Sequence, residues 1–204
     1  MMMSSGLLIV ISGPSGVGKN TVINNLFNRQ PGLRYSVSAT TRAPRPNEID
    51  GQHYFFLTDT EFQKKIGNGE FLEWAKVYEY YYGTPKQNVQ QLLESGQDLV
   101  LDIEVQGALQ VKRSLPDAVL IFLAPPSLSE LKKRLIGRNT ELKAELNKRL
   151  QYIKTEFQSI PQYDYLIVNQ EIDLTCERIK CIIQAEKDRV NRQEPGLIDN
   201  ILKS

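Results

Sequence analysis

An apolar run followed at once by a glycine-punctuated loop and a lysine constrains this chain more than any other feature. The run is Leu7-Leu8-Ile9-Val10-Ile11, and the loop is Ser12-Gly13-Pro14-Ser15-Gly16-Val17-Gly18-Lys19-Asn20-Thr21. A short, branched apolar run is typical of a strand buried on both faces of a parallel sheet. The glycines lack the Cβ atoms that would block close approach of the backbone, so the loop amides can face a bound anion. The stretch predicts a strand, a phosphate-binding loop and a helix that begins near Lys19.

The loop has the chemistry of a phosphate-binding site. Residues Gly13 to Lys19 fit the pattern G-x-x-x-x-G-K. Backbone amides and the first turn of the following helix supply partial positive charge and Lys19 supplies a full one, so the loop suits a polyphosphate. The next position, which is normally Ser or Thr, is Asn20, and the hydroxyl comes one residue later at Thr21. The alternative is a glycine-rich turn between a strand and a helix, without a ligand.

Length and composition set broader limits. The 204 residues are enough for one α/β unit with one or two small inserted lobes. The 25 basic and 24 acidic residues give a net charge of +1, which gives no reason to propose a nucleic-acid or membrane partner. No apolar run approaches the roughly 20 residues that cross a bilayer, and residues 1–5 lack a signal-like pattern, so we expect a cytoplasmic protein. Cys176, Cys181 and the single His53 support neither a disulfide framework nor a zinc site, and we expect two core or semi-buried thiols.

The rest of the chain predicts strands and helices that largely alternate. Before residue 95 we expect a helix over 21–29, a strand over 33–41, a strand over 54–57, a helix over 58–66, two strands within 71–82 and a helix over 84–94. Thr58 and Glu61 have the spacing of a capping box, and Thr84 is placed to cap the helix that follows it. After residue 95 we expect strands over 99–104, 119–124 and 165–169, and helices over 107–114, from Ser127 onward, over 143–157 and over 174–192. This order predicts an α/β fold with a parallel sheet flanked by helices.

Changes of composition divide the chain further. Two prolines and two arginines between 42 and 46 exclude a continuing strand or helix, and short aromatic strands follow them. We therefore predict a core formed by 1–37 and 95–204, with an inserted lobe over 38–94. The segment 134–140 is basic and broken by Gly137, and we predict a helical lid over about 134–150.

Further motifs follow the phosphate loop at characteristic spacings. They are Ser38-Ala39-Thr40-Thr41-Arg42-Ala43-Pro44-Arg45, Phe71-Leu72-Glu73-Trp74-Ala75, Tyr81-Tyr82-Gly83-Thr84, Leu101-Asp102-Ile103-Glu104-Val105-Gln106-Gly107, the arginines at 134, 138 and 149, and Ile167-Val168-Asn169. In their order and spacing these motifs resemble those of the guanylate kinase family over nearly the whole chain. The resemblance implies Mg²⁺-dependent transfer of the γ-phosphoryl group of ATP to GMP. It also implies a P-loop kinase core with a small GMP-binding α+β lobe and a helical lid.

The resemblance also assigns roles to residues of this chain. The ATP-binding set is Gly13, Pro14, Ser15, Gly16, Val17, Gly18, Lys19, Asn20, Thr21 and Asn169. The GMP-binding set is Ser38, Arg42, Arg45, Tyr54, Glu73, Tyr82, Thr84 and Glu104. The catalytic set is Lys19, Arg42, Arg134, Arg138, Arg149 and Asp102, with Asp102 also holding Mg²⁺ through water. ATP and GMP are then the small-molecule partners, and a homo-oligomer is left open.

Positive charge is the main requirement of such a reaction. A phosphate nucleophile with a last pKa near about 6 is largely deprotonated at pH 7, so it needs no strong general base. Arg42 and Arg45 are three apart in a proline-stiffened loop and suit a phosphate held by planar donor forks, although a solvated basic loop is the alternative. Arg134 and Arg138 are four apart and share a face if the helix persists. The alternative is a solvated helix face, which explains Lys132 and Lys133 better than it explains Arg138.

Guanine presents N1–H and an amino group as donors and O6 as an acceptor, so its pocket needs carboxylates and hydroxyls. Glu73, Glu104, Ser38 and Thr84 form such a set. Three of the predicted site residues also fit purely structural roles. Glu73 fits a strand position that faces outward, Thr84 fits a helix cap, and Asp102 fits a strand-end acid that caps the next turn.

The sequence differs from the usual guanylate kinase pattern at two positions, and two other functions compete with the one that the resemblance implies. Many relatives have Asp where this chain has Glu104, and Asn20 cannot fully replace a Ser or Thr metal ligand, so Mg²⁺ would be held mainly through waters and phosphate oxygens. A catalytically inactive guanylate-kinase-like interaction module is one alternative, but such modules are expected to lose the loop lysine or the lid arginines. A kinase for another nucleoside monophosphate is the other, and it would not share the arrangement of Glu73, Tyr82 and Thr84.

Overall fold

The computed structural model describes residues 5–77, 79–136, 143–193 and 196–203, without the side chains of 135–136, 143–150, 198 and 200. The strands are β1 (Leu8–Ser12), β2 (Leu33–Tyr35), β3 (Ala39–Thr40), β4 (Phe55–Phe56), β5 (Phe71–Val77), β6 (Tyr80–Pro85), β7 (Asp98–Asp102), β8 (Val119–Ala124) and β9 (Tyr165–Val168). The helices are α1 (Lys19–Arg29), α2 (Asp59–Gly67), α3 (Lys86–Glu94), α4 (Val105–Ser114), α5 (Leu128–Ile136), α6 (Lys143–Gln158), α7 (Ile172–Lys187) and α8 (Leu197–Lys203). Two 3-10 turns are Ile160–Gln162 and Val190–Arg192.

The main sheet has five parallel strands in the order β2-β7-β1-β8-β9. Alternate residues of β1 enter two different apolar clusters. Ile9 and Ile11 pack with residues of α1 and α7, whereas Leu8 and Val10 pack with residues of α3 and α4. Burial on both faces explains why β1, β8 and the three central residues of β7 are almost wholly apolar. The predicted α/β fold, with a parallel sheet flanked by helices, is confirmed.

A second, smaller sheet has four strands in the order β4-β3-β6-β5. The strands β5 and β6 form the antiparallel pair expected within 71–82. Helix α2 covers this sheet through the fully buried Phe62, whose ring stacks on Phe71 with centroids 4.4 Å apart. The capping box of Thr58 and Glu61 is present as predicted. All strands of this sheet lie between residues 39 and 85, while Val89 of α3 packs against the main sheet.

Several local predictions need correction. The strand expected over 33–41 is two strands in different sheets, and the closing helix ends at Lys187, before a 3-10 turn and α8. Helix α4 begins at Val105 instead of 107. Cys176 is buried as expected, but Cys181 is exposed. Within the described ranges, no helix is both long and apolar enough to cross a membrane.

Candidate active site

The phosphate loop lies at the carboxyl end of β1, where the strand order of the main sheet reverses. Ligands of doubly wound sheets bind outside the strand ends at such a point. Gly13, with a φ of 149°, runs so close to β8 that a Cβ would lie 2.2 Å from the carbonyl oxygen of Leu123. Gly18, with a φ of 99°, directly precedes α1. Glycine is therefore required at both positions. Three other residues of the loop have exposed side chains: Ser15, Asn20 and Thr21.

Hydrogen bonds hold the loop in a formed conformation. Lys19 Nζ donates to the carbonyl oxygen of Gly13 at 2.8 Å. Asn169 is buried just after β9, where its Nδ2 donates to the Val17 carbonyl at 2.8 Å and its Oδ1 accepts from the Thr175 hydroxyl at 2.9 Å. Both polar ends of Asn169 are thus used inside the protein. Its predicted contact with ATP stays a prediction.

A pocket of about 250 Å³ opens beside the phosphate loop and extends to the small sheet. Residues from the loop, from the end of β7 and from the small sheet line it together. The predicted site residues among them are Lys19, Asn20, Ser38, Tyr54, Glu73, Tyr82, Asp102 and Glu104. The fold therefore places the loop lysine and the carboxylate of Glu73 on one cavity, although 54 residues separate them in the sequence.

Glu73 is buried where β5 meets α4. The Thr84 hydroxyl, across the strand pair, donates to Glu73 Oε1 at 2.6 Å. A Cβ on Gly107 of α4 would lie 2.5 Å from Glu73 Oε2, so the carboxylate fits only because residue 107 has no side chain. Burial raises the pKa of Glu73 from 4.5 to about 7, and hydrogen bonds from Thr84 oppose this shift. An outward-facing strand position does not fit Glu73, because its side chain is buried. A helix cap does not fit Thr84, because Pro85 is the residue that precedes α3.

The loop that carries Arg42 and Arg45, here called the arginine loop, is held by Glu48. Both carboxylate oxygens of Glu48 accept from Arg42 Nη2 at 2.9 Å, and Oε2 also accepts from the backbone N–H of Arg45 at 2.8 Å. The Arg42 guanidinium lies 5.5 Å from the ring centroid of Tyr54, which in turn lies 6.1 Å from that of Tyr82. Arg42 is thus held in place beside two residues of the predicted GMP-binding set, whereas the Arg45 side chain is exposed.

Asp102 and Glu104 lie at the end of β7. Asp102 is in register with Ile11 of β1, which places it beside the strand that leads into the phosphate loop. Burial raises the pKa of Asp102, while Lys19 lowers it and Glu104 raises it further. Glu104 is exposed and precedes α4 without a side-chain cap. Over the residues that can be described, no group of three His, Cys, Asp or Glu side chains could hold a metal ion directly.

The three predicted lid arginines are described to different extents. Arg134 Nε donates to Glu130 Oε1 at 3.3 Å, and its Nη1 reaches the Val17 carbonyl of the phosphate loop at 3.5 Å. Arg138 and the side chain of Arg149 lie outside the described residues. Their predicted roles stay predictions.

Sequence reasoning missed three residues beside this site. Glu48 holds the arginine loop, and its position six residues after Arg42 and three after Arg45 could have predicted an ion pair within that loop. Gln110 of α4 ties down β5, because its side-chain amide donates to the Trp74 carbonyl at 3.0 Å and accepts from the Trp74 backbone N–H at 3.2 Å. Glu156 is buried on α6, and no described residue gives its carboxylate a hydrogen bond. No local pattern pointed to Gln110, because its partner lies 36 residues away.

The fold and the site together define a nucleotide-binding protein of the P-loop α/β class. The family model for guanylate kinase matches residues 5–186. A guanylate kinase of Clostridioides difficile (strain 630) is 46 % identical over 199 residues, covering 98 % of this chain and 97 % of the relative. One of Lactococcus lactis subsp. lactis (strain IL1403) is 50 % identical over 191 residues, covering 94 % and 93 %. The crystal structure of guanylate kinase from Anaplasma phagocytophilum matches with a TM-score of 0.78 at 36 % identity, covering 100 % of this chain and 97 % of that one. The chain belongs to the guanylate kinase family.

Proposed function

We propose that the protein transfers the γ-phosphoryl group of ATP to GMP, giving ADP and GDP. The observation that carries the proposal is a cavity lined both by Lys19 of the phosphate loop and by the buried Glu73, whose carboxylate accepts from Thr84 behind it. A polyphosphate and a purine base require these two chemistries, and Lys19 and Glu73 line one cavity of about 250 Å³. We infer a cytoplasmic enzyme with ATP and GMP as its small-molecule partners.

The residues divide the work between the two substrates. The loop amides and Lys19 bind the ATP phosphates, and Lys19 with Arg134 stabilises the charge that moves during transfer. Arg42, held by Glu48 beside Tyr54, presents its guanidinium to the GMP phosphate. Glu73 and Glu104 accept hydrogen bonds from the N1–H and amino group of guanine, and the Ser38 hydroxyl donates to O6.

When bound together with ATP, Mg²⁺ would neutralise part of the negative charge of the phosphates. Asp102, partly buried beside the phosphate loop, fits a carboxylate that holds the ion through water, since Mg²⁺ keeps several waters in such sites. Asn20 is exposed at the start of α1 and supplies an amide oxygen where the motif usually has a hydroxyl. Thr21 is placed to contact phosphate instead.

A coupled assay of ADP formation tests this function. ATP and Mg²⁺ are supplied with GMP, AMP, UMP or CMP in turn at equal concentrations. We expect turnover with GMP and at least about 10³-fold lower kcat/KM with the other three, because a site of buried polar pairs rejects the wrong base strongly. Absence of GMP-dependent turnover, or equal use of AMP, would refute the proposal.

Gly107 of α4 lies against the carboxylate of Glu73, and this contact predicts the effect of a substitution at residue 107. Gly107→Ala would place a methyl group 2.5 Å from Glu73 Oε2, so the carboxylate has to move. We expect kcat/KM for GMP to fall by about 10- to 10²-fold, since small displacements in a site are costly. The matched control is Gly67→Ala in α2, where a Cβ meets nothing within 4 Å, and it should leave GMP use unchanged. Equal kinetics in the two variants would contradict the packing role of Gly107.

The raised pKa of Glu73 predicts how GMP binding depends on pH. Guanine needs the ionised carboxylate, and Glu73 titrates at about 7 in the free protein. The dissociation constant of GMP should therefore rise by about tenfold between pH 8 and pH 6, beyond the change caused by the GMP phosphate. Isothermal titration calorimetry on the wild type and on Glu73→Gln separates the two titrations, because only the wild type contains both. Parallel pH profiles would show that Glu73 does not titrate on binding.

The same titration has the opposite sign for folding. Because the folded-state pKa is raised from 4.5 to about 7, the stabilisation associated with Glu73 is complete below pH 4.5 and is lost as the pH rises through 7. Glu73→Gln should therefore gain stability relative to the wild type as the pH rises from 5 to 8.

A further inference from the structure

Glu156 is a buried carboxylate with no hydrogen-bond partner among the described side chains. Its residue surface is 3 % exposed, and within that part of the chain nothing donates to either carboxylate oxygen. The fold can satisfy such a group elsewhere, because Glu186, equally buried, accepts from the Tyr165 hydroxyl at 2.7 Å and from Arg192 at 3.2 Å. A buried carboxylate without a partner costs free energy, so its presence calls for a functional explanation.

Apolar packing holds the helix turn of Glu156 against β8, beside the strand that leads into the phosphate loop. On α6 it is flanked by Ile153, which packs on Leu131, and by Phe157, whose ring lies 5.6 Å from that of Phe122 in β8. Phe122 is in register with Ser12, the last residue of β1 before the loop. Apolar contacts thus set the position of this helix turn, and no described side chain bonds to the carboxylate.

The acidic side chains around Glu156 would repel an anionic ligand that arrives without a cation. Lys19 and Glu104 both act electrostatically on Glu156, and the same two residues act on Asp102. When ionised, these three carboxylates and one ammonium group carry a net charge of −2. Taken alone, these four side chains would repel two phosphate-bearing substrates and oppose the attraction of the loop amides and Arg134. A divalent cation carried by the nucleotide removes the conflict.

We propose that Glu156 is a further residue of the site for nucleotide-bound Mg²⁺ and that it faces the ion through a water of its hydration shell. The inference rests on the proposed function, since it takes the nucleotide to be held on the phosphate loop. A water-mediated contact agrees with the described side chains, which form no direct three-ligand cluster. Mg²⁺ retains several waters, and their protons need acceptors such as a buried carboxylate.

Calorimetric titration with ADP, with and without Mg²⁺, tests the inference without turnover. Each variant is titrated in EDTA and in about 5 mM Mg²⁺. Removing the charge in Glu156→Gln should tighten ADP binding in EDTA, because it removes repulsion, and weaken binding in Mg²⁺. The factor by which Mg²⁺ improves ADP affinity should fall by about tenfold, as for other residues that act through a metal-bound group. The control Glu177→Gln removes an exposed charge on α7 and should leave this factor unchanged.

Opposite changes in the two conditions would support the inference. Weaker binding in both would indicate a structural role, tighter binding in both would indicate charge repulsion alone, and either result overturns it. Should Glu156→Gln fail to fold, Glu156→Asp decides, because a shortened carboxylate should still lower the Mg²⁺ factor by about threefold and an unchanged factor contradicts the proposal. Failure of the proposed function is separate, since it appears as a wild-type protein that binds ADP but does not use GMP.

Discussion

Lys19→Ala should lower kcat for phosphoryl transfer to GMP by about 10²- to 10⁴-fold while the protein stays folded. The lysine Nζ lies 2.8 Å from the carbonyl oxygen of Gly13, a neutral partner that it can exchange for a phosphate oxygen when a nucleotide binds. In the transition state charge spreads over the transferring group, and a full positive charge there is worth more than in the bound substrates. The effect should therefore appear in kcat and not only in KM.

Folding and turnover can be separated for this variant. One lost hydrogen bond costs about 1 kcal/mol, which corresponds to a shift of roughly 2–4 °C in Tm for a chain of this size. The control Lys180→Ala removes an exposed lysine on α7, which lies 3.8 Å from Glu177, and should not change kcat. Turnover by Lys19→Ala within threefold of the wild type would remove Lys19 from the catalytic set.

Glu73→Gln should lower kcat/KM for GMP by about 10²-fold or more and reduce discrimination against AMP. The ionised carboxylate is a pure acceptor, and glutamine of the same size presents a donor toward the guanine N1–H or amino group. Adenine has a bare acceptor at N1 and no group at C2, so AMP leaves a buried carboxylate unpaired in the wild type and is rejected. ATP affinity should change little, because the phosphate loop is unaltered.

Thermal stability distinguishes this role from a structural one. The Thr84 hydroxyl can still donate to the oxygen of a glutamine, and a carboxylate that resists ionisation is removed, so Tm at pH 8 should not fall. A lower Tm with an unchanged GMP-to-AMP ratio of kcat/KM would mean that Glu73 serves the fold alone. The control is Glu70→Gln, three residues earlier, where the carboxylate is exposed and paired with Lys65 at 2.7 Å.

Elements with strong local signals could be predicted from sequence, and elements that depend on tertiary contacts could not. The strand over 119–124 and the capping box at Thr58 agree with prediction because both patterns are complete within a few residues. The strand over 33–41 has one alternating pattern, yet its halves join different sheets, which no local pattern encodes. The closing helix ends early, and Arg192 beyond it bonds to Glu186 and to the Asp117 carbonyl. These distant contacts override the helical periodicity.

The site divides in the same way. The phosphate loop is local, and its residues follow the pattern that predicts it. The burial of Glu73 beside the more exposed Trp74 reverses the polarity that a surface strand would show, and it depends on Gly107, far along the chain. Glu156 shares a helix face with Ile153 and Phe157, and a charged residue on an apolar face is a sequence signal of a buried, functional carboxylate.

The two hydrogen bonds between Gln110 and Trp74 have a mechanical consequence. They fasten the strand that carries Glu73 to α4, so the floor of the base pocket is attached to the main sheet at that point. Bending of the small sheet must then be taken up by β3, β4 and the loop that carries Arg42, at the opposite edge from β5. Arg42 and Glu48, which are bonded to each other, can then shift together with their loop while β5 keeps its place, so phosphate binding and base selectivity are set by separate parts of one small lobe.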